Sequence, residues 1–349
     1  MSRDTGSNQS VTAETHGQDA NSGGNSSQLE HAIRLERLTR YFGAKPVVKD
    51  LDFNVLSGKV TALLGLNGAG KTTTIRILMG LLSPTRGRAI TLGEDADQMP
   101  LQTRARIGYA VEGHFLYPSM RVSQCQDFQR AGYKRWNEHL FQDIVRHFAI
   151  DPSAKISTLS RGQRAGVSLA LVLAPDPELL VLDDPALGLD PVSRRALNET
   201  LIEFAGHGQR TVLLSSHLLD DVERIADRVA VMVGGKLKVD TSLDEFTSRV
   251  TLYSARCDGE PPSTISSIPG LIELRRLGQH LHMAIADVDQ ETQAALERLA
   301  LPELEQTETT FSQAVMAFLT RERGDASFFS RPIHAYASNS DSDSSGDTV

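Results

Sequence analysis

A chain of 349 residues exceeds one average domain, and a hydrophobic content of 40% suits a soluble protein of two or three folded units. No stretch approaches the ~20 apolar residues of a membrane-crossing helix, so any action on a membrane has to pass through a partner. A formal net charge of -8 argues against nonspecific nucleic-acid binding, and two cysteines, Cys125 and Cys257, exclude a disulfide framework and suit a reducing compartment.

Residues 1 to about 29 are rich in Ser, Asn, Gln, Gly and Thr, lack the apolar core of a secretion signal, and are expected to be disordered. Strand-like and helix-like segments then alternate. Val60–Leu64 reads as a strand, followed by a glycine loop and a helix over Thr72–Leu82. Glu178–Leu182 is a short buried strand, and Val192–Phe204 a helix. Thr211–Ser215, a helix from Leu218, and Val229–Val233 continue the order. Such alternation predicts an α/β fold, a mostly parallel sheet with helices on both faces. After Thr241 come strands at Val250–Cys257, Leu271–Arg276 and Leu281–Ala286, a short helix near Ser263–Ser267, and helices at Glu291–Leu299 and Thr310–Arg321. The pattern approximates a β-α-β-β-α-β accessory domain, with Phe311, Val315, Phe318 and Leu319 on one side of the last helix. His280 and His282 share a strand face, but no third metal ligand accompanies them. From about Ser338 the chain is a Ser/Asp run, read as an inert tail in preference to a phosphorylated one.

The string GLNGAGKT, Gly65 to Thr72, fits G-x-x-x-x-G-K-[ST] between a predicted strand and a helix. Gly65, Asn67, Gly68, Ala69 and Gly70 form a backbone curl whose N–H groups face phosphate oxygens, and the helix N-terminus adds partial positive charge. Lys71 can bridge the β- and γ-phosphates, the Thr72 hydroxyl can ligate Mg²⁺, and Thr73 adds a contact to the α-phosphate. The bland alternative is a glycine-rich connection that happens to hold Lys and Thr. The loop alone identifies a nucleotide binder and leaves kinases, GTPases, helicases and transport ATPases open.

LSRGQ, Leu159 to Gln163, resembles the LSGGQ signature of ABC ATPases, with Arg161 at its third position. Over about residues 33–240 the other motifs of that family follow in order. Phe42 precedes Gly43 where the family stacks adenine, Asp183 ends the Walker B strand, Asp190 lies in LGLD, and His217 follows a strand as the switch histidine does. The resemblance implies a P-loop ATPase of ABC type, with an antiparallel β subdomain, an inserted helical subdomain over about 113–175, and the small C-terminal α+β domain over 241–324. It implies that Ser160, Gly162 and Gln163 meet the γ-phosphate of ATP on an opposite subunit, that Asp183 holds Mg²⁺, and that Asp190 contacts that subunit. Each has a plainer reading as a helix cap, for Ser160, Asp183, Asp190 and His217, or as a core aromatic, for Phe42. Phe115, Tyr117, Phe128, Tyr133, Trp136 and Phe141 are expected mostly as core of the helical subdomain, with Phe115–Met120 the first candidate for contact with a membrane partner.

Two positions depart from the family pattern. Asp184 stands where a Glu usually polarises the attacking water; its stem is roughly 1.5 Å shorter, and misplacement on that scale costs about 10²-fold in rate. Glu112 stands where a Gln is usual; both offer an oxygen to Mg²⁺, and Glu adds a charge. A Glu there resembles the bacterial export branch, whose members also carry a C-terminal accessory domain. The expected function is an ATP- and Mg²⁺-dependent motor, catalysis resting on Asp184, His217, Lys71 and Glu112. It works as a homodimer or with a paralogous second ATPase, coupled to separate transmembrane permease subunits at the inner face of the membrane. A soluble ABC ATPase and a weakly hydrolysing regulator are the alternatives.

Overall fold

The computed structural model describes residues 30–206 and 210–320. The two tails read as disordered, and Arg321 at the end of the expected last helix, lie outside them.

Two long strands open the fold, β1 (His31–Phe42) and β2 (Lys45–Leu56), followed by β3 (Val60–Leu64) and α1 (Lys71–Leu78). Next come β4 (Arg86–Thr91), β5 (Glu94–Asp95), α2 (Leu101–Arg104) and β6 (Ile107–Ala110). Helices α3 (Val122–Arg130), α4 (Glu138–His147) and α5 (Arg161–Leu173) lead to β7 (Leu179–Asp183) and α6 (Pro191–Gly206). They are followed by β8 (Thr211–Ser216), α7 (Leu219–Ile225), β9 (Arg228–Val233) and β10 (Lys236–Ser242). The last part holds α8 (Leu243–Ser248), β11 (Val250–Arg256), β12 (Leu271–Leu277), β13 (His280–Ala286), α9 (Gln290–Arg298), β14 (Glu305–Thr307) and α10 (Phe311–Thr320).

The central sheet runs β10-β9-β3-β8-β7-β6, parallel except for β10, which turns back on β9. Every residue of β3 and β7 is buried, as continuous apolar strands are when both faces of a parallel sheet are covered. Alternate side chains serve two cores: Ala62 and Leu64 of β3 point into one, Leu63 into the other. The second core is closed by an antiparallel sheet, β2-β1-β4-β5, in which Ile33, Leu35 and Leu38 pair with Val55, Phe53 and Leu51. Helix α1 ends at Leu78, four residues before its expected end, because Gly80 takes φ +64 and turns the chain away.

Most aromatics of the helical segment lie outside the core, contrary to expectation. Phe141 alone among the six is fully buried, alongside Ile144 and Val145 of α4; Tyr133 and Trp136 are half-buried. Phe115, Tyr117 and Phe128 are 83%, 59% and 62% exposed. Val122 and Cys125 fill the inward face of α3, so Phe128 is left outside, where Tyr117 meets it edge-on at 5.9 Å.

The third sheet, β12-β13-β11-β14, is wholly antiparallel, and the short helix expected near Ser263–Ser267 is a single 3₁₀ turn. Ala255, Leu281, Met283, Ile285 and Leu296 form its own core. Helix α10 packs instead into the core beneath the central sheet. Phe311, Ala314, Val315 and Ala317 are buried there, and the Phe246 ring of α8 lies 5.9 Å from Phe311 and 5.7 Å from Phe318.

Candidate functional site

The parallel strands β3, β7 and β8 deliver their last residues to one edge of the sheet, which is where α/β folds gather ligands. After β3 the chain curls through Gly65–Gly70 into α1. Gly70 starts that helix at φ +108, and a Cβ on it would meet the Val47 carbonyl oxygen at 2.9 Å, so no other residue fits. Lys71 is buried, and its Nζ donates to the carbonyls of Gly65 at 2.8 Å and Leu66 at 3.4 Å. Burial lowers the Lys71 pKa, opposed by the charges of Asp184, Asp183 and Glu112. A cleft of about 520 Å³ opens along the loop. Its walls include Gly65 to Ala69, Ser216, His217 and, from the far end of the chain, Met316 and Leu319 of α10.

Across that edge Asp183 accepts from Thr72 Oγ1 at 3.1 Å and from Ser215 Oγ at 2.8 Å. Asp183 is therefore tied into the site and does not cap a helix. Asp184, at φ +49, donates its own backbone N–H to Ser215 Oγ at 3.0 Å and is only 8% exposed. Its two carboxylate oxygens lie 2.9 and 2.8 Å from Nδ1 of His217. A carboxylate can only accept, so Nδ1 carries the proton and the ring is held by Asp184. The cap reading of His217 fails, since Leu218 occupies the N-cap of α7 and receives no side-chain cap. Ser215 was not singled out from the sequence. The signal was present: two serines close the otherwise apolar buried strand TVLLSS.

Phe42 is 49% exposed and carries the Arg40 guanidinium 4.9 Å from its ring centroid. It is a surface platform, not a core aromatic. Glu112 is exposed in the loop after β6, near enough for its charge to act on Lys71. Among the described residues no cluster of three His, Cys, Asp or Glu could hold a metal ion. The Thr72 hydroxyl and Asp183 carboxylate supply the sparse hard-oxygen set that suits Mg²⁺, which keeps water and phosphate oxygens as its remaining ligands.

LSRGQ lies at the start of α5. Ser160 caps that helix in a reciprocal pair with Gln163, and Gln163 Nε2 donates to the Ala149 carbonyl at 3.0 Å. Asp190 caps α6 by accepting from the N–H groups of Val192 and Ser193, each at 3.0 Å, and from Ser193 Oγ at 2.6 Å, which lowers its pKa. These two segments pack against each other: a Cβ on Gly162 would lie 1.8 Å from Ser193 Oγ and 3.3 Å from an Asp190 carboxylate oxygen. Gly162→Ala is therefore expected to lower ATP turnover at least about tenfold by displacing the Asp190 turn, on the scale of misplacement effects. Adding Ser193→Gly removes the clash and restores most of the rate, as a phosphate-release assay would record.

The ABC transporter family matches residues 48–187 of the chain. The Nod factor export ATP-binding protein I of Bradyrhizobium diazoefficiens is 34% identical over 223 residues, 61% of this chain and 72% of that protein. The bacitracin transport ATP-binding protein BcrA of Bacillus licheniformis is 30% identical over 223 residues, 63% of this chain and 73% of that protein. Among solved structures, an ATP-binding subunit of an ABC transporter superposes with a TM-score of 0.57 at 29% identity, over 62% of this chain and 92% of that one.

Proposed function

The chain belongs to the ATP-binding proteins of ABC transporters, and from that premise we propose that it drives export through membrane-spanning subunits encoded separately. That it binds ATP, hydrolyses it and serves a transporter follows from the family. The export direction is supported by the relative named for Nod factor export.

One observation carries the mechanism: Lys71, Thr72, Asp183, Asp184, Ser215 and His217 converge on one sheet edge, and LSRGQ does not join them. The hydrogen bonds of Ser160 and Gln163 are local, to each other and to Ala149. Their exposed end is left for ATP held by a second copy or a paralogue, with Asp190 and Gly162 at that seam. Phe42 stacks the adenine, and the curl from Gly65 to Gly70 with Lys71 and Thr73 receives the phosphates. Thr72 and Asp183, with Glu112 nearby, would hold Mg²⁺, which would supply positive charge against the phosphates when bound. Asp184 polarises water, kept in place by His217 and by the Ser215 hydroxyl beneath its backbone.

The exposed pair Tyr117–Phe128, with Phe115 beside it, forms the docking face for a membrane subunit. Pull-down from detergent-solubilised membranes of the native cell is expected to retain a multispanning membrane protein with wild type. The Phe115→Asp/Tyr117→Asp variant is expected to lose it while keeping its own ATP turnover. Recovery of no multispanning protein would remove the transport coupling.

A further inference from the structure

Directly after Glu112 the backbone makes a tight turn. Gly113 and His114 both take left-handed conformations, φ +87 and +47, and the turn drives the His114 side chain inward, where the residue is 6% exposed. The next residue, Phe115, emerges 83% exposed on the docking face. Buried, His114 meets one partner: its Nε2 lies 3.1 Å from the carbonyl oxygen of Pro185. A carbonyl only accepts, so Nε2 carries the proton and Nδ1 is left as a lone pair with no hydrogen-bond partner among the described residues. Pro185 immediately follows Asp184, and its ring fixes φ, which stiffens the peptide that carries the carboxylate.

The geometry points to His114 as a positioning residue that ties the membrane-facing segment to the backbone of Asp184, so that a shift in one is passed to the other. The inference rests on the reading of Asp184 as the group that polarises water. Three consecutive links join four groups, Phe115 on the surface, His114 beneath it, the Pro185 carbonyl, and Asp184. Each link is a covalent neighbour or a single hydrogen bond. An imidazole is a poor choice for filling this space, since a buried, unmet ring nitrogen costs stability that an aliphatic side chain would not. The left-handed backbone at His114 is a second strained feature, and strain of this kind gathers at functional turns. The role requires no change in the protonation of His114. It requires only that the N–H reach Pro185, which a glutamine amide also does and a leucine does not.

Turnover and ATP affinity of the purified full-length protein test this. His114→Leu is expected to lower kcat about tenfold or more with KM for ATP within about twofold, whereas His114→Gln keeps kcat within about threefold of wild type. Introduced into Asp184→Asn, His114→Leu is expected to add no further loss, because its effect passes through that carboxylate. A His114→Leu protein with wild-type kcat, a His114→Gln protein as impaired as His114→Leu, or an additive loss in Asp184→Asn would each overturn the proposal. If His114→Leu does not fold, His114→Asn, whose shorter amide stops short of Pro185, takes its place with the same expectations. Failure of the Asp184 reading itself looks different: Asp184→Asn would then turn over ATP as wild type does.

Discussion

Asp184→Asn is expected to bind ATP but to turn it over about 10²- to 10⁴-fold more slowly than wild type, the range spanned by loss of a positioned general base. Phosphate release at saturating Mg²⁺ and ATP measures the rate, and retention of nucleotide on the trapped protein measures binding. The expectation rests on how Asp184 is held. Its backbone N–H is fixed by Ser215 Oγ at 3.0 Å, both carboxylate oxygens engage His217, and burial leaves little water to stand in for it. Asn preserves the shape and the oxygen but not the charge. Asp184→Glu separates reach from charge, and turnover within about tenfold of wild type is expected because the carboxylate is kept on a longer stem. Equal, negligible rates in wild type and Asp184→Asn, with ATP still bound, would instead make the chain a nucleotide-gated regulator.

Lys71→Ala is expected to act one step earlier, raising the Kd for ATP by about 10²-fold or more. Removing one member of a buried, hydrogen-bonded charge contact typically costs about 2–5 kcal/mol. Lys71 is held on the carbonyls of Gly65 and Leu66, inside the curl that receives the phosphates. The ammonium thus needs little reorganisation to meet them, and phosphate charge favours its protonated form against the burial that lowers its pKa. Fluorescence titration with a labelled ATP analogue reads the affinity, and an unchanged Kd would show that the backbone curl alone carries binding.

The parts of this site that the sequence made legible are those in which backbone chemistry dictates residue type. A phosphate curl needs glycine at Gly70, and a strand that ends in carboxylates at the sheet edge reads as LLVLDD. The central sheet was equally plain, because strands buried on both faces are continuous apolar runs. What stayed hidden depends on distant neighbours. His114 follows a glycine in no motif, and only the fold brings it to Pro185. Phe128 is aromatic in a helical segment, so burial was the natural expectation; which face of α3 turns inward is decided by its contact with α5. The strands β1 and β2 were known only through family resemblance, since Arg37 at φ +44 breaks their alternation with a register shift. The apolar side of α10 was visible, but its destination under the central sheet was not.

That destination bears on biosynthesis. Val222 and Phe246, made well before residue 311, share a buried cluster with Phe311, Ala314 and Val315. A ribosome emits the chain from its N-terminus, so the ATPase half waits, with an uncovered apolar hollow, until α10 is released. Nascent chains stalled between β14 and α10 should therefore engage chaperones more persistently than chains stalled after Thr320. Completion of the nucleotide cleft, whose wall includes Met316 and Leu319, thus awaits the arrival of α10.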